Sequence, residues 1–436
     1  MTLDRGELQG NLLRGYHFPH AAYLFVEVRD AAAGRRLLGE LVDPVTTEEE
    51  WDGTPPWTLN VALTAAGLRA IELDEAAFAG LPAEFLAGMA ARARELGDVG
   101  SSEPECWDEG LGSGDVHILL TVYAPEAAGR DAQLARWKQR VKSDEGLCSG
   151  HEQLADTLPD AREHFGFADG FSQPAVAGSG RDARGEGVLM RFGRWRHVRL
   201  GEFVLGHRDE DGVVPGRDAP LLQNGTFMVW RKLEQDVALF RSWLREAANG
   251  DPREEEWLKA KIVGRWPNGD SLVRSPDGHD PGAGRNRFLY GRDLEGLRCP
   301  VGAHVRRANP RDALGWRTER TKRSRLLRRG MPYGPPLDEG AAGSGGTERG
   351  LIFVCLNASI ARQFELVQRH WLGDGDAFGL GNDRDLLLGG AEPSGKLTVP
   401  GSPPRFLAPG RQFVRMRGGE YLFVPGMSAL RALALG

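Results

Sequence analysis

Residues 350–372 read GLIFVCLNASIARQFELVQRHWL and place an apolar strand directly before an amphipathic helix. Aliphatic and aromatic residues fill the first part of this stretch, which is typical of a buried β-strand. From residue 359 the apolar residues recur every three or four positions, which predicts a helix. The same order occurs in the first half of the chain, where VHILLTVYA (116–124) precedes DAQLARWKQRVKS (131–143). The repeated pattern predicts an α+β fold.

Further apolar runs indicate that one α+β unit is present twice. The sequence predicts strands in the first half at 21–28 and 58–64, strands in the second half at 225–236 and 419–425, and helices at 236–248 and 427–435. Residues 175–219 are rich in Gly, Arg and Asp, which predicts a long connection. We therefore predict an N-terminal domain over residues 1–195 and a C-terminal domain over residues 196–436.

Composition excludes several classes of protein. Of the 436 residues, 41% are hydrophobic and 27% are charged, which is typical of a globular chain. The net charge of −6 argues against binding to nucleic-acid phosphates, and no apolar run reaches the ~18 residues of a membrane span. The four cysteines form no CxxC pair, so a zinc knuckle is excluded. We expect no nucleic-acid or membrane partner and, because no secretion signal is recognisable, a cytoplasmic location.

The segment HFGFADGFSQPAV (164–176) sets one carboxylate among aromatic residues. Asp169 lies between Phe167 and Phe171, where an ionised carboxylate is costly unless a neighbouring group compensates. Its flanking glycines would let the backbone approach a flat ligand. The alternative is an ordinary turn in which Asp169 caps its own backbone.

The segment CPVGAHVRRANPRDALG (299–315) contains a second candidate, His304. The Gly-Ala pair before it leaves space beside the imidazole, which is the commonest side-chain metal ligand and suits iron. Arg307 and Arg311 follow closely and would favour an anionic ligand. The alternative is a histidine with a purely structural role.

The segment SRLLRRGMPYGPP (324–336) contains the third group of candidates. Arg325, Arg328 and Arg329 surround two leucines, so one guanidinium could point into an apolar pocket. The alternative is a solvated basic face, which most arginines of this chain must occupy.

Together the three segments resemble the motifs of the haem-dependent dye-decolourising peroxidases. GFADG carries the GxxDG motif of that family, GAHVRRANPR its haem-ligand histidine, and LLRRGMPYG its distal arginine. The similarity extends from LQGNLLRGYHFPHAAYLFVEV (8–28) to GGEYLFVP (418–425), which is most of the chain. One such motif is weak, but three in family order and spacing are specific. They outweigh the ordinary explanation of each segment.

The resemblance implies two tandem ferredoxin-like domains, with antiparallel sheets and peripheral helices, and one haem b per chain mainly in the C-terminal half. It implies that His304 is the iron ligand. Asp169 and Arg328 would be the catalytic residues on the distal face, with Arg329 as the alternative to Arg328. Further residues are expected to bind the cofactor: Gly170 and Phe171 beside it, Arg307 and Arg311 at its propionates, and Glu365 as the hydrogen-bond partner of the proximal histidine.

By the same resemblance the protein is a peroxidase. It would reduce hydrogen peroxide to water and oxidise dyes, phenolics or other organic donors in one-electron steps through a ferryl porphyrin-radical intermediate. The expected partners are therefore peroxide and an organic donor, for a monomer or a homo-oligomer. Bulky dyes cannot enter a closed haem pocket, so they would need an aromatic residue at the surface that relays electrons to the haem. The relay candidates are Trp195, Trp316, Trp371 and Tyr333.

Two other activities fit part of this pattern. A haem-binding or haem-delivery protein would need His304 but not Asp169 together with an arginine. A haem enzyme with a different reaction on a related fold would lack the GxxDG motif. The presence of all three motifs favours the peroxidase.

Overall fold

A computed structural model of the chain describes residues 3–278, 286–315, 318–338, 347–390 and 395–436. The relay candidate Trp316 lies outside these ranges. Within them, no helix has both the length and the apolar character that crossing a membrane requires. The described residues also contain no group of three or more His, Cys, Asp or Glu side chains placed to hold a metal ion by themselves.

The first half of the chain follows the order βαββαβ. Its elements are β1 (His20–Val28), α1 (Ala31–Leu41), β2 (Thr58–Leu63), β3 (Ile118–Ala124), α2 (Ala127–Lys142) and β4 (Leu147–Asp156). Short helices lie between β2 and β3, at Ala65–Ala70, Glu75–Phe78, Ala83–Ala87 and Ala93–Leu96. Helix α1 begins where the Asp30 carboxylate accepts a hydrogen bond from the Ala33 N–H (2.8 Å), a typical N-cap.

The second half repeats this order with additional helices. Its elements are β5 (Thr226–Gln235), α3 (Val237–Ala247), α4 (Pro252–Val263), α5 (His304–Ala308), β6 (Leu327–Arg328), β7 (Met331–Tyr333), β8 (Gly350–Asn357), α6 (Ala361–Leu372), β9 (Val414–Val424) and α7 (Met427–Leu435). Two small hairpins lie outside the main sheet, Val188–Leu189 with Trp195–Arg196 and Leu397–Val399 with Arg405–Leu407.

Both halves contribute to one antiparallel sheet with the strand order β4-β1-β3-β2-β9-β5-β8-β6, and β7 also pairs with β8. In each half the fourth strand lies beside the first, followed by the third and the second. This shared order confirms the predicted pair of ferredoxin-like units. The halves meet where Leu63 of β2 pairs with Phe423 of β9.

An aromatic core lies between the halves. Trp230 of β5 is fully buried, and its ring centroid lies 4.9 Å from that of Phe25 and 5.8 Å from that of Tyr23, both on β1. A second core lies under the helices, and it also contains residues of both halves, including Leu37 of α1 and Leu430 of α7. The halves therefore share their cores, and the division at residues 195/196 stays a prediction. That boundary falls inside the short strand Trp195–Arg196.

The sequence analysis missed β4 because this strand lies at the edge of the sheet. Its run CSGHEQLA has mostly polar side chains, and most of its residues are at least partly exposed. An edge strand buries too little surface to show an apolar alternation. Strand β9 was predicted too short for a similar reason, since its first half, VRMRG, alternates with arginines.

The contact between the halves predicts a large stability effect at Trp230. Replacing Trp230 by Ala should lower the free energy of unfolding by about 3–5 kcal/mol, because the packed side chains of the two halves cannot close the cavity left behind. Phe192, which is 84% exposed, is the matched control, and Phe192→Ala should change stability by less than about 0.5 kcal/mol. Urea denaturation of both variants measures this difference. Similar losses in the two variants would contradict it.

Candidate active site

A cavity of about 290 Å³ lies between the sheet of the second half and the helices that cover it. One side is the sheet face that carries Leu351 and Phe353 of β8 and Leu233 of β5, because every second residue of a strand faces the same way. Helix α6 contributes Phe364 and Val367. The walls are largely apolar, so each charged group in them requires an explanation.

His304 begins α5 and lines this cavity. Its Nδ1 lies 2.8 Å from Oδ2 of the buried Asp385, while Asp385 Oδ1 accepts the N–H groups of Leu387 (2.9 Å) and Leu388 (2.6 Å). With Nδ1 as the donor, Nε2 keeps its lone pair and has no partner among the described residues. Burial opposes the charged imidazolium, but the carboxylate of Asp385 outweighs it and raises the pKa of His304.

The prediction that Glu365 is the partner of His304 is wrong. The Glu365 carboxylate instead binds Arg92 of the first half and accepts a hydrogen bond from the Tyr421 hydroxyl at 2.9 Å. Its helix α6 is a π-helix, in which the Glu365 N–H donates to the carbonyl of Ile360, five residues earlier (2.9 Å). A helical wheel with the 3.6 residues per turn of an α-helix therefore predicts the wrong face of this helix for Glu365.

Asp169 also lines the cavity, from the loop that the GxxDG motif forms. Its N–H donates to the carbonyl of Ala161 (3.0 Å), and its Oδ1 accepts the N–H of Gly170 (2.6 Å). No described residue donates to Oδ2, which is therefore free to accept a proton. Phe171 also lines the cavity, and its contact with the cofactor stays a prediction. Gly170 is not part of the cavity wall. Its φ of +81° turns the chain between Asp169 and Phe171, which both line the cavity.

The structure separates the two candidates for the distal arginine. Arg328 lines the cavity, and its Nη2 donates to the carbonyl of Phe171 (2.7 Å). Arg329 is not part of the cavity wall, and its guanidinium binds the carbonyls of Asn11 (2.6 Å) and Leu12 (3.0 Å). Neighbouring residues of an extended chain point to opposite sides, so only one of the pair can reach the cavity.

The prediction that Arg307 lies at the propionates is wrong. Its guanidinium is fully buried and donates to the backbone carbonyls of Trp371, Asp374 and Asp383. These contacts fasten α5 to the end of α6 and to the chain that follows it, and Arg307 is not part of the cavity wall. Arg307 therefore supports the helix that carries His304.

Arg311 and Arg325 do line the cavity, and both are buried. Arg311 donates to the carbonyls of Gly185 (2.8 Å) and Phe288 (3.0 Å), whereas the Arg325 guanidinium forms no hydrogen bond with a described residue. Burial lowers the pKa of each of these arginines to about 10. The sequence analysis assigned no role to Arg325, although it stands three residues before Arg328 in the same motif.

These groups fit a haem. An imidazole with a free Nε2 suits the iron, and the apolar walls suit a porphyrin ring. Among the described residues, no carboxylate forms an ion pair with Arg311, Arg325 or Arg328. Burying positive charges without anionic partners is costly, which favours a ligand that carries anionic groups, as the propionates of haem do.

The contact between His304 and Asp385 predicts how the stability of the haem-free protein depends on pH. The raised pKa of His304 stabilises the fold below about pH 6.5, the value of a free histidine, and this contribution disappears as the pH rises through the folded value. Asp385→Asn removes the charge but keeps an oxygen for Leu387 and Leu388. The loss of stability should therefore be larger at pH 5 than at pH 8 in urea denaturation. An equal loss at both pH values would contradict this assignment.

Comparison with known proteins agrees with this site. Residues 273–380, which include α5 and α6, match the family model for the C-terminal part of Dyp-type peroxidases. The Multifunctional dye peroxidase DyP2 of an Amycolatopsis species is 30% identical over 98% of this chain and 95% of its own length. Dye-decolorizing peroxidase msp1 of Mycetinis scorodonius is 28% identical over 99% of this chain and 88% of its own.

Solved structures show the same fold. A dye-decolorizing peroxidase in complex with 2,6-dimethoxyphenol superposes with a TM-score of 0.85 at 26% identity, and the match covers 99% of this chain and all of that one. An ancestral D-type dye-decolorizing peroxidase gives a TM-score of 0.84 at 29% identity, with 98% of each chain covered. Because the match at 30% identity also spans nearly the full length of both sequences, the assignment made from the three motifs is confirmed: this chain belongs to the dye-decolourising peroxidase family and is a haem-dependent peroxidase.

Proposed function

We propose that this enzyme reduces hydrogen peroxide to water in the cavity that holds His304, Asp169 and Arg328, and that it takes electrons from organic donors such as phenols and dyes. The observation that carries the proposal is the meeting of these three side chains, which come from three distant segments, in one cavity. The dimethoxyphenol complex of a similar enzyme supports a phenolic donor. We propose one haem b per chain as the cofactor.

Four residues would hold the haem. His304 would bind the iron through Nε2, and Asp385 would keep the imidazole in the tautomer that leaves this nitrogen free. Arg311 and Arg325 would bind the propionates, since both are buried in the cavity wall without a carboxylate partner. When bound, the haem supplies the redox chemistry of the reaction. The protein supplies the orientation of the ring and the movement of protons.

Asp169 is the proposed proton carrier. Splitting the O–O bond of peroxide requires that one oxygen lose a proton and that the departing oxygen gain one. The Oδ2 atom of Asp169 can accept the first proton and deliver it to the second oxygen, because no described residue occupies it. The backbone contact of Asp169 with Ala161 keeps this carboxylate at the cavity wall.

Arg328 is the proposed source of electrostatic stabilisation. Negative charge develops on the departing oxygen as the bond breaks, and a fixed guanidinium lowers the energy of that state. The hydrogen bond from Arg328 to the Phe171 carbonyl fixes the side chain two residues from Asp169. The two catalytic groups are thus attached to the same loop.

Variants of these two residues test the proposal. Asp169→Asn and Arg328→Leu should each slow the change in Soret absorbance after peroxide addition by about 100-fold or more, because the proton carrier or the charge is lost. Haem binding should persist, since His304 is unchanged. Stopped-flow spectra of the holoproteins measure both properties. If peroxide changes the Soret band equally fast in Asp169→Asn and the wild type, the assigned role of Asp169 fails.

A second prediction concerns the proposed anchor of the propionates. Arg325→Gln should weaken haem binding about tenfold, since a hydrogen bond to a charged group contributes about 1.5–3 kcal/mol. Arg323→Gln is the matched control, because Arg323 is exposed in the same segment. Haem transfer to an excess of apomyoglobin gives the dissociation rate of each variant. Equal rates in the Arg325 variant and the wild type would remove Arg325 from the haem site.

A further inference from the structure

We propose that Glu163 is a positioning residue for the peroxide reaction, because its carboxylate holds the loop that carries Asp169 against the sheet. The inference rests on the proposed role of Asp169. It assigns a function to a second carboxylate of the cavity wall, six residues earlier in the chain.

The Glu163 carboxylate closes its own loop. Its Oε1 accepts the N–H of Phe167 and its Oε2 accepts the N–H of Phe165, both at 2.9 Å. The backbone adds two bonds, from the Glu163 N–H to the Phe167 carbonyl (2.9 Å) and from the Gly166 N–H to the Glu163 carbonyl (2.8 Å). The turn that leads into Asp169 is therefore folded around one side chain.

The same carboxylate fastens this turn to the sheet. Gln235 ends β5, and its Nε2 donates to Glu163 Oε2 at 2.7 Å. The Gln235 backbone pairs with Val414 of β9 and donates its N–H to the Arg349 carbonyl (2.9 Å), so its position is set by the neighbouring chain on either side. Glu163 thereby connects the loop to the end of β5, a strand inside the sheet.

A glutamine could not replace Glu163 here. The two backbone N–H groups and the Gln235 amide are all donors, so both side-chain oxygens at position 163 must accept. A glutamine would place its NH₂ group where one of these oxygens now accepts, so one backbone N–H group would face another donor. Phe165 and Phe167 are each 7% exposed, so water could not easily satisfy the N–H that is left.

Glu163 and Asp169 therefore have different tasks. Burial raises the pKa of Glu163. The hydrogen bonds of its carboxylate are all made within the protein, and they oppose this effect by stabilising the ionised form. Asp169 has an oxygen without a donor and is exposed to the cavity. Asp169 can move a proton, whereas Glu163 can hold the turn.

The test is a double-mutant cycle with Glu163→Gln and Asp169→Asn. Glu163→Gln should slow the peroxide-dependent Soret change about 10- to 100-fold, because misplacing a reacting group by about 1 Å can cost about 100-fold in rate. In the Asp169→Asn background, Glu163→Gln should change the rate by less than about twofold. Hydrogen–deuterium exchange of residues 161–170 in the haem-free protein should become faster. Haem dissociation should stay unchanged.

Each outcome separates the two proposals. If Asp169→Asn does not slow the reaction, the role of Asp169 fails whatever Glu163 does. If Asp169→Asn slows it and Glu163→Gln causes its full effect in both backgrounds, Glu163 acts independently of Asp169 and the inference is overturned. Unchanged exchange of residues 161–170 in Glu163→Gln would overturn it as well.

Two further variants complete the design. Glu246→Gln is the matched control, because Glu246 is exposed on α3, the helix whose Phe240 ring lies 4.3 Å from that of Phe165. It should leave rate and exchange unchanged, and a slower reaction in this variant would overturn the assignment to Glu163. Gln235→Met removes the link to the sheet with a side chain of similar length, and it serves if Glu163→Gln does not fold. It should slow the reaction in the wild type but not in Asp169→Asn, and the reverse would overturn the inference.

Discussion

The hydrogen bond between His304 and Asp385 is the interaction on which the chemistry of this molecule depends. It joins two segments that lie 81 residues apart in the chain, and it decides which nitrogen of the imidazole faces the cavity. Without a donor bond from Nδ1, either ring nitrogen could carry the proton, and the one facing the cavity would be free to bind iron only part of the time. Burying this pair is costly in itself, and the two backbone N–H groups that bind Asp385 stabilise its charge.

The cavity solves a general problem of haem proteins, which is to hold a flat apolar ring with charged edges inside a folded core. One side of its wall comes from alternate residues of the three strands β5, β8 and β9, which gives a flat and mostly apolar face. The charged groups enter where regular structure ends: Asp169 from a loop, His304 from the first position of a short helix, and Arg328 from the end of a two-residue strand. Short or irregular elements thus carry the reacting groups, and the sheet forms the wall beside them.

The sequence allowed the fold class and three central residues to be predicted, and the reasons for success and failure are physical. Asp169, His304 and Arg328 lie in three short motifs that resemble those of the family, so the resemblance identifies them although each segment alone also allows an ordinary structural role. Asp385 has no such motif, because its role arises from a contact across 81 residues. Glu365 was misassigned because helix α6 winds with five-residue hydrogen bonds that an amphipathic pattern does not reveal.

The two halves share one strand order, but they differ in how the sheet face under the helices is filled. In the first half, the face under the helices is filled by aliphatic side chains such as Leu24, Val61 and Leu120, and no described residue of β1 to β4 lines the cavity. In the second half, the corresponding face is left partly open for the cofactor. The two copies of the unit thus differ in packing: this face is filled with side chains in the first half, and it borders a cavity in the second half. Substitutions in the four strands of the first half should therefore lower thermal stability before they affect the peroxidase reaction.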